Sequence, residues 1–244
     1  MKVLIITVAG MSTRFSRSVG KPVIKCLYHN KSLKDSLLYI LLERSREFDY
    51  FIIVCGYRYK ELCETIRISF EEFSDKILSV ENPYYATYGS GYSLYLGLQK
   101  AFEAEADEIV FAEGDLYFNE DDYQRVCSAD KSVVTVNRNP ILADKSVALY
   151  FDIAGEIRYI YDTGHNELFI KEPFLAIYNS GQVWKFSDKH LARKVYSQMD
   201  EEEWKGTNLI FVEKYFRDIG SEKYELITLR HWINCNTLDD FNKI

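Results

Sequence analysis

The chain of 244 residues is 47% apolar and 27% charged, the composition of an ordered globular protein with a sizeable core. A formal charge of −7 argues against a broad nucleic-acid footprint, and no apolar run approaches the roughly 20 residues that a bilayer-spanning helix requires. Cys26, Cys55, Cys63, Cys127 and Cys235 are odd in number and contain no Cys-x-x-Cys pair, which points to reduced core thiols and a cytoplasmic location.

Val3-Leu4-Ile5-Ile6 is an apolar run that gives way abruptly to Gly10, Ser12, Thr13 and Arg14, with Lys21 and Pro22 following. The pattern predicts a buried strand, a small-residue loop and a helix start. In a doubly wound sheet such a loop lies at the carboxyl end of a central strand, where free backbone N–H groups cradle anions. The charges of Arg14 and Lys21 suit several phosphate oxygens. The loop has neither Walker A nor dinucleotide-fingerprint spacing, so a plain structural turn is the competing reading of these residues alone.

Ser32, with Asp35 three residues later, has capping-box spacing ahead of the broad apolar helix face of Leu37, Leu38, Ile40, Leu41 and Leu42. Residues 50–55 are predicted as the next strand, 60–73 as a helix and 77–80 as a strand, giving the order βαβαβ. Asn82-Pro83 breaks this pattern. Gly89 and Gly91 then allow either close approach to a ligand or a sharp turn, ahead of a helix bearing Ser93, Leu94, Leu96 and Leu98. Ile109 to Phe111 reads as a buried central strand that delivers Asp115 to the functional edge, where a hard oxygen ligand suits Mg²⁺. The ordinary alternative is a turn or capping aspartate.

Strands are predicted at 132–136, 147–151, 156–161 and 174–178, with a hairpin connection at 152–155. They form a partly antiparallel addition, an acceptor-side region over about residues 132–206. Residues 182–199 and 207–216 are predicted helices, and Thr237 with Asp240 repeats the capping-box spacing. His29, His165, His190 and His231 lack transition-metal spacing, and no Gly-x-Ser-x-Gly nucleophile elbow is present.

Three of these segments together resemble the nucleotidyltransferases that activate phosphorylated sugars or small phosphorylated alcohols. Their opening Ala-Ala-Gly-x-Gly-Ser/Thr-Arg-Phe/Leu, followed by Pro-Lys-Pro-Leu, is similar to Val8-Ala9-Gly10-Met11-Ser12-Thr13-Arg14-Phe15 followed by Gly20-Lys21-Pro22-Val23. Gly114-Asp115 resembles the family's metal-binding strand end, and Trp232 to Asp240 resembles its closing Trp-x-x-Ile-Asp-Thr-x-x-Asp-Leu. Ser12 replaces the second family glycine, and Asn236 stands at the closing metal-binding Asp.

The resemblance implies an α/β fold: a Rossmann-like, GT-A-type mixed β-sheet flanked by helices, with a partly antiparallel acceptor-side addition, in one nucleotidyltransferase domain over 1–244. It implies nucleotide contacts from Ala9, Gly10, Met11, Ser12, Thr13, Arg14, Lys21, Asn82, Ser90 and Ser93. Mg²⁺ is expected at Asp115 and Asn236, and catalysis through Arg14, Lys21 and Asp115. The branch it looks most like is that of the phosphocholine-type cytidylyltransferases. That implies CTP or another nucleoside triphosphate and a small phosphorylated acceptor as partners, with no nucleic acid or membrane; a homodimer stays open. Sugar-1-phosphate transfer and a catalytically weakened nucleotide-binding protein are the alternatives. Tyr84, Tyr85, Tyr88, Trp184 and Trp204 offer ring faces for an organic acceptor, a quaternary ammonium among them with Glu172 adding charge, or serve ordinary packing.

Overall fold

A computed structural model describes residues 1–143, 146–160 and 168–244. Its centre is β1 (Lys2–Val8), whose apolar run is covered on both faces. Leu4 and Ile6 pack with Leu38, Phe51 and Leu62 on one side, whereas Val3 and Ile5 pack with Leu94, Phe111 and Trp184 on the other. Side chains alternate across a strand, so a strand between two helical layers reads as a continuous apolar run.

The first half carries α1 (Thr13–Val19), α2 (Leu37–Glu43), β2 (Tyr50–Cys55), α3 (Tyr59–Ser69), β3 (Ile77–Glu81), α4 (Ser90–Glu103) and β4 (Glu108–Glu113). Strands β4, β1, β2 and β3 pair in parallel, which is the expected βαβαβ order. Next come β5 (Leu116–Phe118), α5 (Glu120–Ser128), β6 (Ser132–Asn137), β7 (Ala148–Asp152), β8 (Ile157–Tyr159) and β9 (Phe174–Phe186). The chain ends with α6 (Lys189–Gln198), α7 (Glu201–Lys205), α8 (Leu209–Ile219), β10 (Tyr224–Leu229), β11 (Trp232–Asn234) and α9 (Leu238–Phe241).

The main sheet runs β10-β6-β9-β4-β1-β2-β3, with β7 paired to β9 and β8 to β7. Strand β9 is antiparallel to β4, β6 and β7, so the antiparallel addition is built into the same sheet. A separate antiparallel pair, β5 with β11, ties the chain's last segment to the turn after β4. Among the described residues, no helix is long and apolar enough to cross a membrane.

Three expectations are corrected. The Ser32–Asp35 capping box forms, yet it closes a 3₁₀ turn over Leu33–Asp35, and Ser36 caps α2 by accepting from the Tyr39 N–H. The helix predicted over 60–73 leaves α geometry at Phe70 and ends in a 3₁₀ turn. The helix predicted from Gln182 is strand as far as Phe186, because the apolar Val183, Trp184 and Phe186 fill a position between β4 and β6. Helix α6 starts only after Asp188, whose carboxylate caps the His190 and Leu191 N–H groups. Of the strand predicted over 156–161, Tyr161 lies outside the described residues, as does His165.

Helix α4 crosses β1 and β2 at Gly97, where an added Cβ would lie 2.6 Å from Ile5 Cγ2. Alanine exceeds glycine in helix propensity by about 1 kcal/mol, but forcing a methyl into a packed contact costs about 1–3 kcal/mol. We therefore expect Gly97→Ala to lower the denaturant midpoint in chemical unfolding; a raised midpoint would show that Ile5 yields freely.

Candidate active site

The carboxyl ends of β1 and β4 open into a cavity of about 300 Å³. Of the expected nucleotide contacts, Ala9, Gly10, Ser12, Asn82, Ser90 and Ser93 line it, and Asp115 faces them. Met11, Thr13, Arg14, Lys21 and Asn236 do not line it. Met11, Thr13, Arg14 and Lys21 are exposed. The Arg14 guanidinium donates to Asn236 Oδ1 at 2.9 Å, and both residues line a second cavity with Asn139, Asn179, Arg230 and Trp232.

Two local features shape the first cavity. Ser12 has φ 55° and ψ 27°, so it adopts the left-handed conformation that glycine would reach without the cost of about 1–2 kcal/mol. Its hydroxyl accepts from the Lys25 N–H at 3.3 Å, a contact that glycine could not make. At the other wall, a Cβ on Gly114 would lie 2.3 Å from Val8 Cγ1, so glycine lets the turn after β4 press against the end of β1. That approach brings Asp115 to the loop, and its carbonyl accepts from the Cys235 N–H at 2.9 Å.

Lys25, absent from the sequence-based site, provides the shortest polar contact in the cavity. Its ammonium donates to Asp115 Oδ2 at 2.6 Å, with the two side chains only 16% and 23% exposed. Asp115 Oδ1 is buried and has no hydrogen-bond partner among the described residues. Glu113, also on the cavity wall, accepts from Asn208 Nδ2 at 2.9 Å, and the Asn208 N–H donates to Ser90 Oγ at 3.1 Å. Burial and then the neighbouring charge of Asp115 push the Glu113 carboxyl up to about 7, partly offset by Asn208 and Lys25.

Several expected ligand contacts have structural partners. Asn82 donates to Ser93 Oγ at 2.9 Å and accepts from the Tyr84 N–H at 2.8 Å, which holds the turn after β3. Gly89 and Gly91 do make a close approach, but to main chain: their N–H groups donate to the carbonyls of Lys205 and Gly206. Trp184 is fully buried and stacks on Phe111 at 5.1 Å, so it forms no acceptor wall. Tyr85 and Tyr88 line the first cavity, whereas Tyr84, Tyr88 and Trp204 line a separate aromatic one beside Tyr92, Tyr95 and Tyr196. Glu172 accepts from the Tyr150 hydroxyl. The five aromatics and Glu172 are thus distributed over different environments rather than one cage.

The donor set for a divalent cation is narrow. Asp115 Oδ1 is a buried oxygen without a partner, and Mg²⁺ uses one or two carboxylates completed by water and phosphate oxygens, so Asp115 fits it. Asn236 gives its carbonyl oxygen to Arg14 and its Nδ2 to Asn234 Oδ1 at 2.8 Å. Among the described residues no group of three His, Cys, Asp or Glu side chains gathers as a metal site.

A family model described as a domain of unknown function, DUF6564, matches residues 21–244. The chain belongs to the DUF6564 family. Among curated proteins, no sequence matches it. Among solved structures it is similar to the inositol-1-phosphate CTP transferase from T. maritima, with a TM-score of 0.68 and 16% identity over 98% of this chain and 91% of that one. It is also similar to the CTP:phosphocholine cytidylyltransferase from Streptococcus pneumoniae, with a TM-score of 0.61 and 18% identity over 99% and 96% of the two chains. A protein described as a glucose-1-phosphate thymidylyltransferase from Bacillus anthracis superposes with a TM-score of 0.71 at 14% identity, over 100% and 93%. This DUF6564 chain therefore has the nucleotidyltransferase fold, a mixed sheet flanked by helices.

The raised Glu113 carboxyl sets a pH dependence. Its ordinary value is 4.5, so between about 4.5 and 7 the folded protein holds more protons than the unfolded chain, and stability falls as pH rises through that window. Glu113→Gln keeps an acceptor for Asn208 and removes the titration. In EDTA, the melting temperature of the variant should gain on the wild type between pH 5 and 7.5; parallel profiles would contradict this assignment.

Proposed function

We propose that the protein is a Mg²⁺-dependent nucleotidyltransferase that transfers CMP from CTP to a small phosphorylated metabolite and releases pyrophosphate. The observation that carries this reading is the cavity itself, where the loop after β1, Lys25 and Asp115 come together, the Asp115 carboxylate paired with the Lys25 ammonium and keeping one buried oxygen without a partner. Backbone donors and fixed cations at the carboxyl end of a central strand are suited to a triphosphate. The choice of CTP rests on two of the three similar structures, whose names specify it. A phosphocholine, a phosphonate or a phosphorylated amino acid is the acceptor class in this reading.

The acceptor's phosphate has a second pKa of roughly 6, so an oxygen is anionic near neutral pH and needs no histidine base. That oxygen bonds to the α-phosphorus as the bond to the β-phosphate oxygen breaks, and the electron pair leaves with pyrophosphate. Positioning and charge stabilisation supply most of the catalysis in such transfers. In this scheme Ala9, Gly10 and Ser12 hold the phosphates and Lys25 takes the role that the family resemblance gives Lys21. Arg14, oriented by Asn236, meets phosphate from the side of the second cavity. Asp115 would hold the Mg²⁺, which supplies charge neutralisation at the phosphates.

The catalytically weakened alternative has one specific support: Asn234, Asn236 and Arg14 satisfy each other with no acid among them. Turnover separates the two readings. Pyrophosphate release should require both a nucleoside triphosphate, CTP above ATP, GTP and UTP, and a phosphorylated acceptor drawn from phosphocholine, phosphoethanolamine, aminoethylphosphonate, phosphorylated amino acids and sugar 1-phosphates. Asp115→Ala should lower that rate at least about 100-fold, on the scale of losing a principal electrostatic group, with the far-UV circular dichroism retained. Nucleotide retention without acceptor-dependent release across the screen would favour the weakened protein.

A further inference from the structure

We propose that Lys25 is an exchangeable counter-ion of Asp115: its ammonium holds the carboxylate until a triphosphate enters, then moves to the phosphates and frees Asp115 for a divalent cation. This rests on the phosphate-site reading above and adds an order to it, in which divalent-cation binding follows nucleotide binding.

The pair is half-committed. Asp115 Oδ2 is bound to Lys25 at 2.6 Å while the buried Oδ1 has no hydrogen-bond partner, so one carboxylate carries both a resident cation and an unsatisfied oxygen. An ammonium in contact with a carboxylate cancels most of its field, and in a site this enclosed that weakens attraction for a second cation. Asn236, at the position of an expected second acid, is neutral and engaged with Arg14, so it brings no compensating charge. Glu113, the other acid of the cavity, is engaged with Asn208.

The main chain of Lys25 is fixed, and its ammonium is held, among the described residues, by the one contact to Asp115. Its N–H donates to Ser12 Oγ, it opens a 3₁₀ turn over Lys25–Leu27, and the adjacent Ile24 and Cys26 are buried. A lysine stem is flexible and its ammonium is a rotatable point charge, unlike the rigid fork of arginine. A triphosphate against residues 9–12 offers that ammonium more negative charge than one carboxylate does. Two of the replacements that set this chain apart from the nucleotidyltransferase pattern then act together, because Ser12 anchors Lys25 and Asn236 leaves Asp115 dependent on it.

Manganese titrations followed by electron paramagnetic resonance, with CTP binding in EDTA followed by calorimetry, test the exchange without reference to turnover. Lys25→Met should bind Mn²⁺ in the absence of nucleotide about tenfold more tightly than the wild type, and metal-free CTP about tenfold more weakly, a typical coupling between linked ligands. Lys25→Gln should behave in the same way, and Lys25→Arg should stay close to wild type for Mn²⁺; circular dichroism establishes that each is folded. Unchanged or weaker Mn²⁺ binding in folded Lys25→Met, or undiminished metal-free CTP binding, overturns the exchange. A wild type that binds none of the four nucleoside triphosphates overturns the phosphate-site reading instead.

Discussion

The contact on which the rest of the site depends is the one between Lys25 and Asp115. A carboxylate taken into a protein wall needs a cation or donors to offset the loss of water, and here only one of its oxygens has been given one. Leaving a buried polar atom unmatched costs about 1–3 kcal/mol, and more where it is charged. The fold sustains that cost because the surrounding framework is fixed: β1 and β4 are buried neighbours, Gly114 lets them close together, and the Cys235 N–H pins the Asp115 carbonyl. An unsatisfied oxygen held so firmly is the feature on which the proposed cation site rests.

Much of this architecture was legible in the chain because it depends on local pattern. The continuous apolar run of β1, the small residues after it, and Asp115 two residues past β4 each carry their meaning in a few adjacent positions. The last part of β9 was hidden for the opposite reason. Gln182 to Phe186 has no alternation to mark it as strand, since it is flanked by β4 and β6 within the sheet and by apolar layers on its faces. Trp184 offers either a ligand wall or ordinary packing by its sequence alone, and its full burial against Phe111 decides for packing.

Within the site, Lys25 was the main omission. Lys21 drew attention because it sits in a recognisable Lys-Pro context, while the three-dimensional turn after Pro22 carries Lys25, not Lys21, to Asp115. A second lysine four residues beyond the first was the available signal, but charge alone does not say which of two lysines faces inward. The long-range partners Asn208 and Cys235 had no local signal at all. Ser12 shows how a departure from a pattern can preserve it, since serine retains the left-handed backbone that glycine favours and adds a hydroxyl that holds Lys25.

The central claim is that the loop after β1 and the acid after β4 serve one triphosphate. Crystals grown with CTP and Mn²⁺, with anomalous scattering used to locate the ion, address it most directly. The account predicts phosphate density along residues 9–12 and an anomalous peak bound to Asp115 and to that same triphosphate. A nucleotide bound elsewhere, or an ion distant from Asp115, would contradict it.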